Sequence, residues 1–406
     1  MFIAEPLQEQ LDRMRNDRLR VLVVGAGVAG VTLAQLLRTE GLHPVLVERA
    51  PGHADAGYML ALMPLVEPAL RRLGVQQAYR EHSVRFHRYR LHGRHGQLLR
   101  EYEIDTLLDK YGDYRGLARG ELMQVLAGRA AAVSYASSLR AMRQTPEAVH
   151  ATLQHGEASL AGEFDAVVLA DGLHSASRAL LLRTDQVTTY DTSWGGWVAW
   201  TDTDEMHSDQ GDEIWGSDFF MGIYPVKGRA GVFLGGNRVD TRAGPEAFVG
   251  HIRRQLRTRD AWIESALEKV GAGGDLYFWK LTDCRSAVWA VNRITLLGDA
   301  AAGFLPTAGI GAAMAMESAG VLARLLASVD RATVPHALRD YERTQRPRVE
   351  SAQDNSRRLA KLTFRRSRLL AILRDAASRF ISLGTALRPI QRLLRSAPDS
   401  SSVEMK

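Results

Sequence analysis

The chain has 406 residues, of which 46% are hydrophobic and 24% charged. That composition excludes a disordered chain, a collagen-like fibre and a disulfide scaffold, and the length suffices for two or three domains with a large core. The formal charge is +6, yet Ser356 to Ser396 alone carries +10, so the basicity belongs to a tail and the rest is mildly acidic.

The only cysteine is Cys284, so an intramolecular disulfide is excluded, which fits a reducing compartment. The first twenty residues mix Glu, Asp and Arg and lack the apolar run of a secretion signal. They read as a lead-in to the first strand, and a cytoplasmic protein is expected. The longest uncharged run, between Asp299 and Glu317, holds Gly303, Pro306, Gly309 and Gly311. A membrane span needs about 20 mainly apolar residues, so this run is not read as one.

Leu19 to Val24 is an apolar run ending in Gly25 and predicts a buried parallel strand. Val28, Val31, Leu33, Leu36 and Leu37 then recur at helical spacing up to Arg38, and Pro44 to Glu48 reads as a second strand after a turn at Gly41. This is a βαβ unit. Leu65 to Leu73 predicts a helix closed by Gly74, and Val84 to Leu99 predicts strands turning around Gly93 and Gly96. A helix is expected over Gly120 to Ala132 and a β-meander over Ser134 to Leu160. Phe164 to Ala170 predicts another buried strand, ending at Asp171-Gly172.

All seven tryptophans fall between Trp194 and Trp289, in runs such as GWVAWTDTD and FFMGIYPVKGR. These predict an antiparallel sheet forming a second domain, with most of the aromatics packing the sheet and a few lining a pocket for a flat substrate. Arg293 to Leu297 predicts a strand ending at Gly298-Asp299, followed by a helix from Gly311 to Leu326. From His336 onward the chain reads as helical and mostly basic.

Three motifs carry chemistry. Gly25-Ala26-Gly27-Val28-Ala29-Gly30 is a G-x-G-x-x-G between a strand and a helix, with Glu48 ending the next strand 18 residues on. Gly25 makes the tight turn, Gly27 admits a pyrophosphate to the backbone, and Gly30 lets helix and strand pack closely. The helix N-terminus would face phosphates, and Glu48 would accept hydrogen bonds from a ribose diol. The second motif is Asp171-Gly172, in a stretch running on to Arg178. The third is Gly298-Asp299 followed by Pro306, Gly309, Ile310 and Gly311. A buried Asp after a strand also serves as a plain helix cap.

Taken together, in this order, the three motifs resemble those of the FAD-dependent monooxygenases of the para-hydroxybenzoate hydroxylase type, the group A flavoprotein hydroxylases. The resemblance spans Val21 to Leu326. It implies an α/β protein: a Rossmann-like FAD-binding domain with a parallel sheet, an antiparallel β-sheet substrate domain and a C-terminal helical segment. The expected division is 1–80, 100–185 and 285–335 for the FAD-binding domain, 81–99 and 186–284 for the substrate domain, and 336–406 for the basic segment.

By this resemblance Gly25, Ala26, Gly27, Gly30, Glu48 and Arg49 bind the ADP half of FAD, and Arg119 lies near the diphosphate. Asp171 is linked to FAD and NAD(P)H, Gly298-Asp299 to the ribitol or ribose. Pro306, Gly309, Ile310 and Gly311 lie beside the flavin ring, where a helix N-terminus stabilises the anion of reduced flavin. In the family's Gly-Asp-Ala-Ala-His pattern the fifth residue here is Ala302. Near Gly57, where many members carry an arginine that helps with NADPH, this chain has His53 and Asp55. Trp197-Val198-Ala199-Trp200 departs from the Trp-x-Trp-x-Ile-Pro of the flavin halogenases.

The implied activity is insertion of one oxygen atom from O2 into an aromatic, polycyclic or isoprenoid small molecule, through a flavin C4a-hydroperoxide, with NADPH or NADH as reductant. A base that deprotonates a phenol would help. His82, His87 and Tyr224 are the candidates by position. The alternative is a flavin-dependent reductase or dehydrogenase on the same scaffold. A third class is a non-catalytic binder that uses the basic tail. No metal site and no nucleic-acid recognition fold are expected. The tail's Arg and Leu pattern reads as a helix covering the FAD domain, or as a basic amphipathic helix on an anionic membrane.

Overall fold

The computed structural model describes residues 1–53, 57–104, 108, 110–203, 207–274, 276–364, 366–380, 384 and 387–398, with the backbone alone at 308. The N-terminal residues are part of the fold rather than a lead-in. Strand β1 (Phe2–Ala4) pairs in parallel with β9 (Ala131–Val133), and α1 (Leu7–Met14) follows.

A five-stranded sheet forms the first layer, in the order β19 (Ala290–Val291), β20 (Ile294–Leu296), β13 (Ala166–Leu169), β2 (Val21–Val24), β3 (Val45–Val47). β20, β13, β2 and β3 run parallel, and β19 is antiparallel. Every residue of those four parallel strands is buried, as continuous Val, Ile and Leu runs require of strands covered on both faces. Helix α2 (Val28–Thr39) follows β2, and the apolar side chains of α2 join the same core as those of α8 (Gly311–Ala327).

Smaller elements surround this layer. The expected meander is present as β10 (Ser137–Gln144), β11 (Val149–His155) and β12 (Ala158–Phe164). A three-stranded sheet joins β4 (Met59–Leu62), β8 (Arg115–Ala118) and β5 (Val84–Arg85). Between them lie α3 (Glu67–Leu73), which ends at left-handed Gly74, and α4 (Gln76–Glu81). The helix expected over Gly120 to Ala132 is shorter. It is α5 (Arg119–Ala127), because Gly128 takes φ +57° and residues 131–133 extend to pair with β1.

The second layer is a seven-stranded sheet ordered β18 (Tyr277–Ser286), β14 (Val187–Thr201), β17 (Arg229–Asn237), β16 (Phe219–Val226), β15 (Gln210–Trp215), β6 (Arg88–His92), β7 (Leu98–Glu103). It is antiparallel as expected, except that β15 and β6 run parallel. Alternation splits its side chains between two faces. On one face Trp197, Ile214, Phe219, Met221, Val232 and Leu234 pack with Phe248 and Ile252 of α6 (Pro245–Gln255) and Trp262 and Leu267 of α7 (Ala261–Gly271). On the other, Trp194, Val198, Phe220 and Phe233 meet Tyr58, Met59, Leu305 and Phe364 from outside the sheet. Two tryptophans depart from the sheet reading: Trp262 is helical, and Trp289 packs on Tyr341 in the first core.

The tail is clamped rather than free over its first half. It comprises α9 (Val334–Thr363), α10 (Arg368–Ser378) and α11 (Arg388–Arg395). Gln353 donates to the carbonyls of Cys284 and Gly303, Ser356 donates to that of Leu305, and Arg357 pairs with Asp283. Among the described residues no helix is long and apolar enough to cross a membrane.

Candidate functional site

The three glycine-bearing motifs converge at the ends of β2, β13 and β20. Gly25 takes φ +104°, and a Cβ there would lie 2.6 Å from the Ala170 carbonyl oxygen and 2.7 Å from the Asp171 Cα. A Cβ at Gly30 would lie 1.9 Å from the Gly25 oxygen. Both glycines are therefore demanded by the protein's own packing. Gly27 differs. Its backbone is extended, and a Cβ would meet nothing within 4 Å. Nothing in the chain requires Gly27 to lack a side chain. It opens the space in front of the α2 N-terminus, which carries no side-chain cap. Those N–H groups are left for an anion.

Glu48 closes the turn from the neighbouring strand, accepting from the Ala26 N–H at 2.9 Å and the Ala50 N–H at 3.0 Å. Each oxygen retains a lone pair for a hydroxyl donor. Arg49 beside it is exposed. Asp171 is used inside its own loop, accepting from the Ser175 hydroxyl (2.5 Å) and from the Ser177 N–H (3.0 Å) and hydroxyl (2.7 Å). The plain capping role thus accounts for its carboxylate. Gly298, at φ +62°, would place a Cβ 2.8 Å from Ala29 Cβ, so the third motif packs on the start of α2.

Asp299 is the group that the protein leaves unpaired. Its carboxylate makes no hydrogen bond or ion pair among the described residues, and its surface is open, yet protein surrounds it deeply enough to push its pKa up to about 6. An accessible carboxylate deep in the molecule marks the floor of a cleft. Tyr58 stands over the same cleft. The charges of Asp299 and Arg119 pull its pKa in opposite directions, while burial raises it. The Arg119 N–H donates to the Tyr58 carbonyl at 2.9 Å. A turn with uncapped N–H groups, a diol acceptor and an unpaired carboxylate fit the diphosphate and polyol of FAD. Beyond them, Pro306 precedes the left-handed Gly309 (φ +57°), buried Ile310 and Gly311, where α8 begins without a side-chain cap.

The base candidates fare differently. His82 is exposed and holds Glu121 at 2.6 Å. His87 is half-buried between β5 and β6, its N–H bonded to the Asp209 carbonyl. Tyr224 donates its hydroxyl to Glu213 at 2.5 Å, and burial holds its pKa well above the ordinary value. The Tyr224 hydroxyl is thus a hydrogen-bond donor to a carboxylate here. Asp55, noted beside His53, lies outside the described residues. The His53 ring stacks on Phe2 at 4.1 Å.

Sequence reasoning passed over Glu213. It also accepts from Trp215 Nε1 at 2.8 Å and from the Tyr89 hydroxyl, and burial raises its pKa. Tyr114 is electrostatically coupled to Glu213, Tyr89 and Tyr224, and its own hydroxyl has no hydrogen bond among the described residues. A Cβ at Gly309 would lie 3.7 Å from that hydroxyl. Tyr114 thus joins the Gly309 turn to the Glu213 cluster. Tyr58, Tyr89, Tyr114, Glu213, Trp215 and Tyr224 are all only half-buried by accessible area. Burial raises the pKa of each titratable member.

A parallel sheet with three glycine-bearing turns at its strand ends, set against a second, aromatic-faced sheet, is the arrangement of a dinucleotide-binding protein. The chain belongs to the FAD binding domain family, whose model matches residues 18–356. It is 30% identical over 361 residues to the 3-amino-4-hydroxybenzoate 2-monooxygenase PtnB3 of Streptomyces platensis, covering 86% of this chain and 89% of that one. It is 26% identical to the 6-hydroxynicotinate 3-monooxygenase of Pseudomonas fluorescens, over 82% and 89% of the two chains. Its fold is similar to that of Klebsiella pneumoniae HpxO complexed with FAD and uric acid, with a TM-score of 0.80, 21% identity, and coverage of 94% and 97%. The chain is an FAD-dependent oxidoreductase of the monooxygenase class, with FAD as cofactor and O2 as co-substrate.

Proposed function

We propose that this protein inserts one oxygen atom from O2 into an electron-rich aromatic small molecule, with NADPH or NADH as reductant. The single observation that carries the aromatic substrate is the group of half-buried rings Tyr58, Tyr89, Tyr114, Trp215 and Tyr224, of which Tyr114 reaches the Gly309 turn. The names of the relatives support it: they act on 3-amino-4-hydroxybenzoate and 6-hydroxynicotinate. In this reading the layer carrying β2, β13 and β20 holds FAD, and the seven-stranded sheet holds substrate.

Bound FAD supplies the redox chemistry that activates O2. The chain supplies the rest. The α2 N-terminus holds the diphosphate, with Arg119 near it. Glu48 accepts from the ribose diol and Asp299 from a cofactor hydroxyl. The uncapped start of α8 at Gly311 would stabilise negative charge on a flavin ring held beside it. The aromatic wall orients a flat substrate over the turn and excludes water. The test is consumption of NADPH by the FAD-loaded protein under labelled O2, against one- and two-ring phenols and N-heteroaromatics. The expected result is a product one labelled oxygen heavier. A product changed only by hydrogen returns the reductase reading.

A second reading concerns α10. Its buried positions are Ala371, Asp375 and Ser378, whereas Leu369, Ile372 and Leu373 are exposed at 67%, 46% and 58%. The apolar side of this helix faces away from the protein, flanked by Arg366, Arg368 and Arg379. That arrangement suits peripheral contact with an anionic membrane. Arg374 of the same helix donates to the Trp215 and Gly216 carbonyls, so the contact surface adjoins Trp215 of the half-buried rings.

A further inference from the structure

Glu213 has no cation beside it among the described residues. Its neighbours are the Tyr224 hydroxyl from β16, the Tyr89 hydroxyl from β6 and its own strand's Trp215 indole N–H, with Tyr114 acting electrostatically from the segment before β8. The nearest described arginine by contact, Arg374, is engaged with backbone carbonyls beyond Trp215. Neutral donors hold the carboxylate in place without neutralising it. The other carboxylate of the strand shows the contrast. Asp212 points to the opposite face, where it is paired with His92 at 2.8 Å and fully buried.

The floor around Glu213 is kept low. Gly211 and Gly222 lie across from Tyr89 and Glu213 in the ladder, on the same face. A Cβ at Gly222 would press on the Tyr224 ring at 2.6 Å. Gly222 thus makes room for the Tyr224 ring, and Gly211 lies under the edges of Tyr89 and Tyr224, so the two rings flank the carboxylate they hold. Three donors do not exhaust a carboxylate's roughly four acceptor sites. Glu213 is itself only half-buried, which leaves part of it open to a further donor.

Building on the proposed aromatic substrate, we infer that Glu213 is a specificity-determining residue that accepts the hydrogen of a substrate hydroxyl or ring N–H. The enzyme therefore takes phenols and hydroxylated N-heteroaromatics without a carboxylate, and rejects the matching aromatic acids. The substrate's donor occupies the free acceptor site of Glu213, and its ring lies between Trp215, Tyr224 and Tyr114 towards Gly309. A substrate carboxylate at the same point would meet a like charge with no cation to separate them. As the ring is attacked, the proton of the substrate hydroxyl passes to Glu213, its bonding pair staying on the substrate oxygen. The carboxyl returns the proton when the product oxygen takes it back.

The experiment uses FAD-loaded full-length protein and matched probes: 2-aminophenol against 3-amino-4-hydroxybenzoate, and 4-hydroxyquinoline against its 2-carboxylate. Binding is read from the perturbation of flavin absorbance on titration. The expected result is a preference of about 100-fold for the probe lacking the carboxylate, the size of a like-charge penalty. In Glu213→Gln that preference shrinks to a few-fold, with retained flavin absorbance reporting a folded protein. In Tyr224→Phe the carboxylate loses a donor, and the acidic limb of the turnover-against-pH curve moves upward. A tyrosine with a purely structural role would leave that limb in place.

Equal binding of acids and their matched phenols by the wild type overturns the inference. So does a preference unchanged in Glu213→Gln, or the absence of any donor-bearing binder. A probe that binds in a Glu213-dependent way but gains no labelled oxygen counts against the proposed reaction and leaves the role of Glu213 standing. Oxygen insertion into the acids, insensitive to Glu213, does the reverse.

Discussion

The Arg178 guanidinium donates to the Ala300 carbonyl at 2.9 Å and so ties the Asp171-Gly172 loop to the Gly298-Asp299 loop. It also donates to the Leu173 carbonyl (3.0 Å) and lies 3.3 Å from Cys284 Sγ. One half-buried side chain therefore links β13, β18 and β20 at the ends that face the cofactor cleft.

Replacing it with methionine keeps the apolar stem and deletes these bonds. Carbonyl acceptors left unpaired by a charged donor cost about 2 to 3 kcal/mol. Arg178→Met is expected to lower the apoprotein's unfolding midpoint in urea and to release FAD on desalting. Arg178→Lys should recover only part of both, because an ammonium cannot reproduce the guanidinium fork. Unchanged FAD retention in Arg178→Met would mean that the loops hold their places without it.

Gly27 and Gly30 separate a cofactor requirement from a packing requirement. At Gly30 a Cβ overlaps the Gly25 oxygen at 1.9 Å, so Gly30→Ala should destabilise the apoprotein by several kcal/mol. At Gly27 the extended backbone and empty surroundings admit a side chain. Gly27 is also the N-cap of α2, where serine is favoured. Gly27→Ser is expected to leave apoprotein stability unchanged or raised by about 0.5 kcal/mol. Its hydroxyl would occupy the approach to the α2 N–H groups, so FAD affinity should fall by about 100-fold or more. Thermal unfolding of the apoprotein and titration with FAD decide the two effects independently.

Much of the cofactor cleft was legible because each element is a local backbone demand. Gly25 needs a left-handed turn, and Gly30 needs contact between strand and helix. Glu48 ends a strand next to both. The substrate wall was not legible in the same way. Alternation along QGDEIW says that Asp212 and Glu213 point to opposite faces, but not which face fronts a cavity. That depends on Tyr89 from a distant strand, brought alongside by the parallel β15–β6 pairing. Tyr224 was singled out, but its partner Glu213, to which its hydroxyl donates, was not. Arg178 stood in the quoted motif, yet its acceptors lie over 100 positions away, at Cys284 and Ala300.

Asp299 gives FAD binding a pH dependence of definite sign. Its pKa in the apoprotein is raised to about 6, so it is protonated below that pH and ionised above it. In the proposed binding of FAD, a cofactor hydroxyl would donate to the ionised form. Binding should therefore release a proton near and below pH 6, and the dissociation constant should rise by up to about tenfold per unit below it. The same raised pKa acts on stability in the opposite sense. The folded apoprotein prefers the neutral acid, so this group's contribution is fully present below about pH 4 and is lost as pH rises through 6. Its open surface lets solvent reduce the size of that effect. Asp299→Asn should flatten the FAD titration between pH 5 and 7. A slope that survives the substitution would assign the proton to another group.

The exposed side of α10 yields the last prediction. Leu369 and Leu373 stand one turn apart, both more than half exposed, and Phe380 beyond them is 86% exposed. Burying two leucines in an acyl boundary is worth about 3 to 6 kcal/mol, and each nearby Lys or Arg adds about 1 kcal/mol on an anionic surface. The full-length protein should therefore sediment with vesicles containing phosphatidylserine, less so in high salt, and not with purely zwitterionic vesicles. Truncation at Ser356 is a poor probe, because Ser356 itself holds the Leu305 carbonyl and Arg357 holds Asp283. The double substitution Leu369→Glu and Leu373→Glu leaves those contacts alone. It should keep the flavin absorbance and remain in the supernatant. If this variant pellets as the wild type does, the outward apolar side of α10 is not a membrane contact.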